Sequence, residues 1–292
     1  MIPFVCWVLA LVSVFVVFRL FDRYGVSTFE AIVINYLVCA LTGASLLDAS
    51  VWATIPDPLP TWVWLAFLIG GFFIATFYVL GRSTQVAGVV ITTLAGRVSF
   101  FIPALANLWL FERSARPWDA INYSGILLAM VAVVLAAYRP GMKVGSWRLP
   151  LLVFLISGAI DTMLNYVSLY HLPAAFEGVF SVLLFGTAFG VGVVLLLLRH
   201  LRGIRLRWSS VAGGVALGLP NYFSIYLMLV TLRAFGGDGA VVFPSFNVAV
   251  IGVSALVSLF LFNEALSPRN WLGIVLAIVS VGLISYQALF LD

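Results

Sequence analysis

Charged residues are scarce in this chain of 292 residues: 15 are Lys or Arg and 11 are Asp or Glu, together 9% of the sequence. A soluble globular domain carries about 25% charged residues. Hydrophobic residues reach 63%, which is more apolar surface than a water-soluble core of this size could use. The composition therefore excludes a soluble enzyme or binding domain and predicts a membrane protein.

Cysteine and histidine are also rare, which excludes several kinds of site. Cys6 and Cys39 both fall in apolar segments, so we expect no disulfide and no metal site. His171 and His200 are predicted at opposite membrane faces, and neither belongs to an HExxH pair. The sequence has no Gly-x-Ser-x-Gly elbow, no aspartyl dyad and no phosphate-binding loop. We therefore expect no enzyme activity, no cofactor and no direct use of ATP.

Long apolar segments fill the chain from end to end. Each is near the roughly 20 residues that cross a ~30 Å hydrocarbon layer as a helix. Residues 126–131 are apolar on every side, whereas the strands of a membrane barrel alternate apolar and polar positions. The predicted fold is an all-α polytopic membrane protein with ten transmembrane helices. The ten spans are residues 2–21, 28–47, 62–80, 86–110, 119–138, 149–170, 174–198, 211–232, 239–262 and 270–289.

Basic residues follow the odd-numbered spans far more often than the even-numbered ones. At the ends of odd spans or after them come Arg19, Arg23, Arg82, Arg139, Lys143, Arg148, Arg199, Arg202, Arg205, Arg207 and Arg269; after even spans come Arg113, Arg116 and Arg233. The positive-inside rule then places the odd loops in the cytoplasm and both termini outside the inner (plasma) membrane. Because these basic residues are scattered over loops, we expect no nucleic-acid partner.

Two stretches of the chain look like copies of one another. Residues 125–133 match residues 273–281 at a constant offset of 148. The sequence therefore predicts two five-helix repeats, residues 1–140 and 149–292, joined by a linker at 141–148. Since five is odd, tandem copies enter the membrane in opposite directions, and such inverted repeats are a transporter device. Chance similarity between Gly-rich apolar helices is the alternative.

The second copy carries a longer pattern as well. Residues 261–268 contain an aromatic residue, Glu264 and a short polar loop, and an apolar helix begins near Gly273. Ten helices in two such halves resemble the drug/metabolite transporter (DMT) superfamily, in particular its EamA-type members. The first half departs from the pattern through residues 109–112, a loop four residues longer, and Arg113.

That resemblance implies a carrier. Its members export amino acids and other small metabolites, and related families exchange sugars, nucleotide sugars or phosphorylated sugars. The resemblance also implies that spans one, three, four, six, eight and nine surround a central cavity. Spans five and ten would then pack outside it.

Two charged residues lie deep in predicted spans, Arg97 in span four and Asp161 in span six. Arg97 shares a helical face with Thr93 and Asn107, and Asp161 shares one with Asn165. A charge at a span centre costs about 2.5 to 3.5 kcal/mol on insertion scales, and it usually faces protein or water. Either the two residues form a structural ion pair, or Arg97 binds a carboxylate or phosphate while Asp161 holds an ammonium or takes up a proton.

Other polar and aromatic residues complete the predicted substrate site. The candidate substrate-binding residues are Arg97, Asp161, Asn165, Tyr166, Asn221, Tyr222, Asn247, Thr93 and Phe100. The competing interpretation is that Asn, Ser and Thr side chains only hold membrane helices together or bond to their own backbone.

The expected function is a secondary transporter, an exporter or exchanger of a small polar metabolite such as an amino acid, working by alternating access. A proton or a counter-substrate is the expected coupling partner, and the expected state is a monomer or weak dimer in the lipid bilayer. The alternatives are a carrier of sugars, phosphorylated metabolites or organic ions with the same fold, or a channel or lipid scramblase.

Overall fold

The structure is a computed structural model that describes residues 2–87, 95–96, 98–111, 118–137, 148–201, 207–261, 267–284 and 286. Every regular element in these ranges is a helix. Among the helices described there, four are long and apolar enough to cross a membrane: Thr28–Leu46, Arg148–Tyr170, Ala174–Arg199 and Trp208–Ala234. The all-helical fold is therefore confirmed for the described residues, and four of its helices are candidates to span a membrane.

Apart from the fourth, the longer helices follow the predicted spans closely, and we number them in the same order. They are α1 (Ile2–Tyr24), α2 (Thr28–Leu46), α3 (Thr61–Ala87), α4 (Phe101–Trp109), α5 (Ala120–Ala137), α6 (Arg148–Tyr170), α7 (Glu177–His200), α8 (Trp208–Ala234), α9 (Gly239–Leu261) and α10 (Pro268–Ile284). The fourth, Phe101–Trp109, lies within the span predicted at 86–110, of which residues 88–94 and 97 are outside the described residues. A short helix, Ala49–Ala53, precedes α3, and a 3₁₀ turn, Ala174–Phe176, precedes α7.

The boundary between the third and fourth spans differs clearly from the prediction, since residues 86 and 87, predicted to start the fourth span, belong to α3. The third span was predicted to end at residue 80, but α3 continues to Ala87. The polar run 81–85 reads as a loop in the sequence. A helix satisfies its own backbone hydrogen bonds, however, so it can extend past an apolar segment.

The chain forms two compact units, and each takes residues from both halves of the sequence. Unit 1 consists of Met1–Ala75 and Tyr166–Ala234, and unit 2 of Thr76–Asn165 and Phe235–Asp292. These units group residues by contact and not by repeat. The predicted repeat boundaries near residues 140 and 149 therefore stay a prediction.

In unit 1, α2 packs against α7 and α8, and α1 packs against α8. Glycines bring the helices close together. A Cβ at Gly214 of α8 would lie 2.6 Å from the Ala31 carbonyl oxygen of α2, and one at Gly70 of α3 would collide with the Leu184 carbonyl oxygen of α7. Small residues at such crossings let backbones approach, which gives membrane helices their packing energy.

In unit 2, α5 packs along α10, α4 packs against α9, and α9 also contacts α5 and α10. A small buried core joins three of these helices through Ala132, Val248 and Ala277. The opposite sides of α5 and α10 expose apolar side chains, which are Leu127, Val131, Val134, Val275, Ile278 and Val279. Exposed apolar surface of this kind suits contact with lipid tails.

The pairing of α5 with α10 is reciprocal. Asn122, near the start of α5, donates from Nδ2 to the carbonyl oxygen of Ile284 at 2.9 Å. Asn270, near the start of α10, donates from Nδ2 to the carbonyl oxygen of Leu135 at 3.2 Å. Each start therefore lies beside the last turn of the other helix, and the two helices run antiparallel.

The two asparagines also cap their own helices in the same way. Asn122 Oδ1 accepts the Asp119 N–H at 3.1 Å, and Asp119 Oδ1 accepts the Asn122 N–H at 3.3 Å. Asn270 Oδ1 accepts the Ser267 N–H at 2.9 Å, and Ser267 Oγ accepts the Asn270 N–H at 3.3 Å. Both are capping boxes, which satisfy N–H groups that a helix start leaves without partners.

Candidate functional site

A chain of buried hydrogen bonds connects three helices of unit 2. Asn165 of α6 donates from Nδ2 to Asn107 Oδ1 of α4 at 2.8 Å, and Asn107 donates from Nδ2 to Asp238 Oδ1 at 3.4 Å. Asp238 precedes α9, where its Oδ1 also accepts the Val241 N–H at 3.4 Å. Asn107 and Asn165 are fully buried. The network thus links the ends of α4 and α6 to the start of α9.

Asn165 has an acceptor that this network does not use. Its Oδ1 is buried without a hydrogen-bond partner, and a buried polar group without a partner is costly. Gly239 leaves space for the Asn165 amide, since a Cβ there would lie 2.6 Å from Asn165 Nδ2. The predicted site residue Asn165 is therefore a polar group held in a fixed orientation inside the protein.

The other predicted residues of unit 2 lie in different surroundings. Asp161 is half-buried on α6, one turn before Asn165. Asn247 is buried, and its Nδ2 donates to the Phe243 carbonyl oxygen of its own helix at 3.0 Å. That bond matches the structural interpretation of a membrane asparagine. Phe100 is buried at the start of α4.

Thr93 and Arg97 lie outside the described residues. The ion pair between Arg97 and Asp161, and the binding of an anion by Arg97, therefore stay predictions. Beyond Arg97 in the chain, α4 contacts α6 through Ile102 and Gly158. A Cβ at Gly158 would collide with the Ile102 side chain. Asp161 follows Gly158 by three residues, so it lies on the side of α6 that faces α4.

A second polar group is buried in unit 1. Asn221 of α8 donates from Nδ2 to Asn35 Oδ1 of α2 at 3.1 Å. The Cys39 thiol lies 3.2 Å from the Gly218 carbonyl oxygen and 3.6 Å from Asn35 Oδ1. Asn35 and Cys39 are fully buried. Asn221, predicted to bind substrate, thus holds α8 against α2 in this conformation.

Aromatic rings surround the predicted residue Tyr222. Its ring is stacked on that of Tyr226, with centroids 5.9 Å apart, and lies 6.3 Å from Phe185 of α7. Phe185 is also stacked on Tyr36 of α2, with ring centroids 6.1 Å apart. Tyr222 is only 2% exposed, so it packs within unit 1 and presents little surface to a ligand in this conformation.

Tyr166 takes a different position from Tyr222. It is exposed near the end of α6, where its hydroxyl lies 3.1 Å from His171 Nε2. Its ring lies 5.3 Å from that of Tyr170. Tyr166 belongs to unit 1, and the contacts described for it are with residues near the end of its own helix.

Sequence reasoning did not single out Arg233 as part of a site. Its Nε donates to Glu177 Oε1 at 2.5 Å, and its Nη2 donates to the Leu172 carbonyl oxygen at 2.8 Å. Glu177 starts α7 and is 6% exposed. One guanidinium therefore ties the end of α8 to the start of α7 and to the turn before it.

Asp238 and its link to Asn107 were also missed. The signal was present in the sequence: Asp238 follows Gly236 and Gly237 and directly precedes an apolar segment. Both glycines have positive φ, 65° and 79°, which is the conformation that glycine adopts without strain. An Asp at such a position is a typical N-cap residue.

The comparisons with known proteins establish a fold and no function. No protein-family model matches the chain. An uncharacterized protein of Haemophilus influenzae is 24% identical in an alignment 291 positions long, and the alignment covers 96% of each protein. A solved structure, described only as a crystal structure of a protein, is similar with a TM-score of 0.72 and 15% identity, over 100% of this chain and 98% of that one. The whole chain thus resembles a fold already observed in a crystal.

Proposed function

We propose that this protein is a secondary transporter of a small polar metabolite, built from ten membrane spans in two inverted five-helix repeats around a central cavity. Both termini lie outside, and a proton or a counter-substrate drives the cycle. The reciprocal pairing of α5 with α10 is the observation that carries the proposal. Asn122 and Asn270 are separated by the same 148 residues as the sequence repeat and make equivalent bonds in an antiparallel pair.

The starts of α2 and α7 support the same symmetry. A Phe-Glu pair lies at each start, with Phe29–Glu30 in the first turn of α2 and Phe176–Glu177 where the 3₁₀ turn meets α7. Both carboxylates are buried. Glu30 Oε2 accepts the Arg207 N–H at 3.3 Å, and Glu177 Oε1 accepts Arg233 Nε. Equivalent carboxylates at the starts of two packed helices are expected when one repeat is inverted relative to the other.

Buried amides inside apolar helices support a polar cargo. The pair Asn35–Asn221 and the chain Asn165–Asn107–Asp238 place hydrogen-bonding groups inside mostly apolar helices or, for Asp238, directly before one. Such groups in a membrane protein face protein or an aqueous path and not lipid. A lipid scramblase would place them along a groove at the lipid boundary, which the burial of these residues disfavours.

Counterflow in proteoliposomes tests the proposal. Vesicles loaded with unlabelled amino acids, sugars, phosphorylated sugars or organic cations should accumulate the matching labelled solute transiently and with saturation. A channel would give flux that rises linearly with concentration and no transient accumulation. A reporter fused to the C-terminus tests the orientation separately, because its location in the cytoplasm would reject the outside placement without affecting the repeat.

A further inference from the structure

The hydrogen bonds of neighbouring residues fix which way the side-chain amide of Asn165 is oriented, and therefore where its Oδ1 lies. An ionised carboxylate can only accept hydrogen bonds, and Asp238 Oδ1 accepts from the Val241 N–H and from Asn107 Nδ2. Asn107 must then present Nδ2 to Asp238 and Oδ1 to Asn165. Asn165 in turn must present Nδ2 to Asn107. The carboxylate therefore fixes both amides, and a flipped Asn165 would bring two acceptor oxygens face to face.

Asn165 Oδ1 is consequently the free end of a directed chain. Each amide donates toward the carboxylate, and donation along such a chain makes the last carbonyl oxygen a stronger acceptor. The buried hydroxyls of Ser254 and Thr231 also lack partners. A hydroxyl can rotate toward its own helix backbone, whereas the amide of Asn165 is held by its donor side. Only a donor from outside the network satisfies this oxygen.

Asp161 adds a negative charge on the same face. It precedes Asn165 by four residues on α6, a spacing that puts the two Cβ atoms about 5 to 6 Å apart. A neutral acceptor beside a carboxylate suits a group that has both N–H donors and a positive charge. A quaternary ammonium has the charge without the donors, and a hydroxyl has the donor without the charge. A primary ammonium has both.

We infer that Asn165 Oδ1 and the Asp161 carboxylate bind the ammonium group of the transported molecule, and that Asp238 and Asn107 orient Asn165 for it. This inference rests on the proposed function, since Asn165 is buried in this conformation and an ammonium reaches it only when the helices around α6 part. Asp238 and Asn107 act through Asn165 and are positioning residues. The substrate class is thereby narrowed to primary amines and amino acids.

Ligand-induced thermal stabilisation of the purified full-length protein tests the inference without any variant. The probes are ethylammonium, glycine, alanine and leucine, each compared with its N-trimethylated counterpart, and sodium chloride compared with choline chloride. At least one primary ammonium should stabilise the protein with saturation. Its N-trimethylated counterpart should bind at least about tenfold more weakly, because a hydrogen bond to a charged donor is lost. Equal affinities, stabilisation by sodium alone, or no response to any probe would overturn the inference.

Variants then identify the residues. Asn165→Leu keeps a similar volume and should weaken binding of the primary ammonium about 10- to 100-fold. Asp161→Asn should weaken it as well, and serves as a second variant if Asn165→Leu does not fold. Ser254→Ala removes another buried, unpartnered polar atom of unit 2 and should leave the affinity unchanged. Unchanged affinity in both Asn165→Leu and Asp161→Asn would reject the site.

The positioning role of Asp238 is tested by the selectivity of the protein for primary over quaternary ammonium ions. Asp238→Asn can present either an oxygen or an N–H to Asn107, so Asn165 loses its fixed direction. The ratio of primary to quaternary ammonium affinity should therefore fall, a result that general loosening of the fold does not produce. Counterflow of an anionic cargo without ammonium binding would reject this site and leave the carrier standing. Ammonium binding without counterflow would reject the carrier and leave the site.

Discussion

Asn122 and Asn270 make the same hydrogen bonds at opposite ends of one antiparallel helix pair. Each caps its own helix and donates its Nδ2 to a carbonyl oxygen in the last turn of the other helix. The last carbonyls of a helix have no partner within it, so each asparagine satisfies a group that lipid cannot. The two residues therefore fix the register of α5 against α10.

Replacing either asparagine should destabilise the protein. Asn122→Ala and Asn270→Ala each remove a cap and leave a carbonyl oxygen unpaired, so we expect a loss of about 1 to 3 kcal/mol in the free energy of unfolding. The sites are roughly 20 Å apart along the pair, and the double variant should lose the sum. Denaturant titration in micelles measures these values. Ser124→Ala is the control, since Ser124 is exposed and its Oγ bonds to Ile121 of its own helix; a loss as large there would contradict the assignment.

Neighbouring glycines of α3 should respond in opposite ways to alanine. A Cβ at Gly70 would collide with the Leu184 carbonyl oxygen, whereas a Cβ at Gly71 has no atom within 4 Å. Gly70→Ala should destabilise the protein by about 1 to 3 kcal/mol, because α3 and α7 must move apart. Gly71→Ala should be neutral or stabilising by up to about 1 kcal/mol, because alanine favours a helix. Thermal unfolding compares them, and equal effects would show that α3 and α7 do not pack through Gly70.

Arg233 should not tolerate lysine. Its guanidinium donates to Glu177 and to the Leu172 carbonyl oxygen at once, and an ammonium cannot reproduce that planar fork. We expect Arg233→Lys to lower the free energy of unfolding by about 1 to 2 kcal/mol. This range already includes a reduction for the partial exposure of Arg233. Arg148→Lys, at the exposed start of α6, is the control and should change stability by less than about 0.5 kcal/mol. If Arg233→Lys is as stable as the unmodified protein, only the positive charge is needed at this position.

Cysteines placed along the outer sides of α5 and α10 should resist labelling from water. Ile278 is 65% exposed on α10, within an apolar surface suited to lipid, and Met130 lies on α5. Variants Met130→Cys and Ile278→Cys in a Cys6→Ser background should stay unlabelled by a charged maleimide, since buried Cys39 adds no background. Leu201→Cys, at an exposed helix end, is the positive control. Ready labelling at 130 or 278 would place these helices in the aqueous path.

The predicted roles of Arg97 and Asp161 can be separated by charge removal. If they only neutralise each other, Arg97→Met combined with Asp161→Leu should fold and transport, as a buried ion pair can be replaced by apolar residues. If they bind cargo, the double variant should fold and lose counterflow. Arg97→Lys should also weaken transport of an anionic cargo, because a bidentate contact becomes a point charge. Full activity in the double variant would reject both as substrate or coupling residues.

Helix content and most helix ends followed from the sequence because they depend on local patterns. A helix such as Thr28–Leu46 is apolar over a membrane-crossing length, and that property needs no knowledge of its neighbours. The end of α3 at Ala87 was missed because residues 81–85 are polar yet still helical. An apolar composition predicts which residues lie in the lipid layer. It does not predict the residue at which the backbone hydrogen bonds of a helix end.

The site was predictable only in part, because its bonds join residues far apart in the chain. Asn165 was identified from its helical face, but Asn107 lies 58 residues before it and Asp238 lies 131 residues after Asn107. Sequence spacing on one helix gives no information about such pairs. Tyr222 was expected beside a cavity and lies among Tyr36, Phe185 and Tyr226, since aromatic rings are as useful for packing helices as for binding ligands.

The hydrogen bond between Asn35 and Asn221 has a consequence for synthesis of the chain. The two residues are 186 positions apart, so at about 5 to 20 residues per second Asn35 enters the membrane roughly 10 to 40 s before its partner is made. During that interval α2 carries an amide whose Oδ1 lacks its Asn221 donor, and α7 and α8 do not yet cover it. The nascent first half is then a ready target for chaperones and proteases, and slow translation of the second half should lower the yield of folded protein.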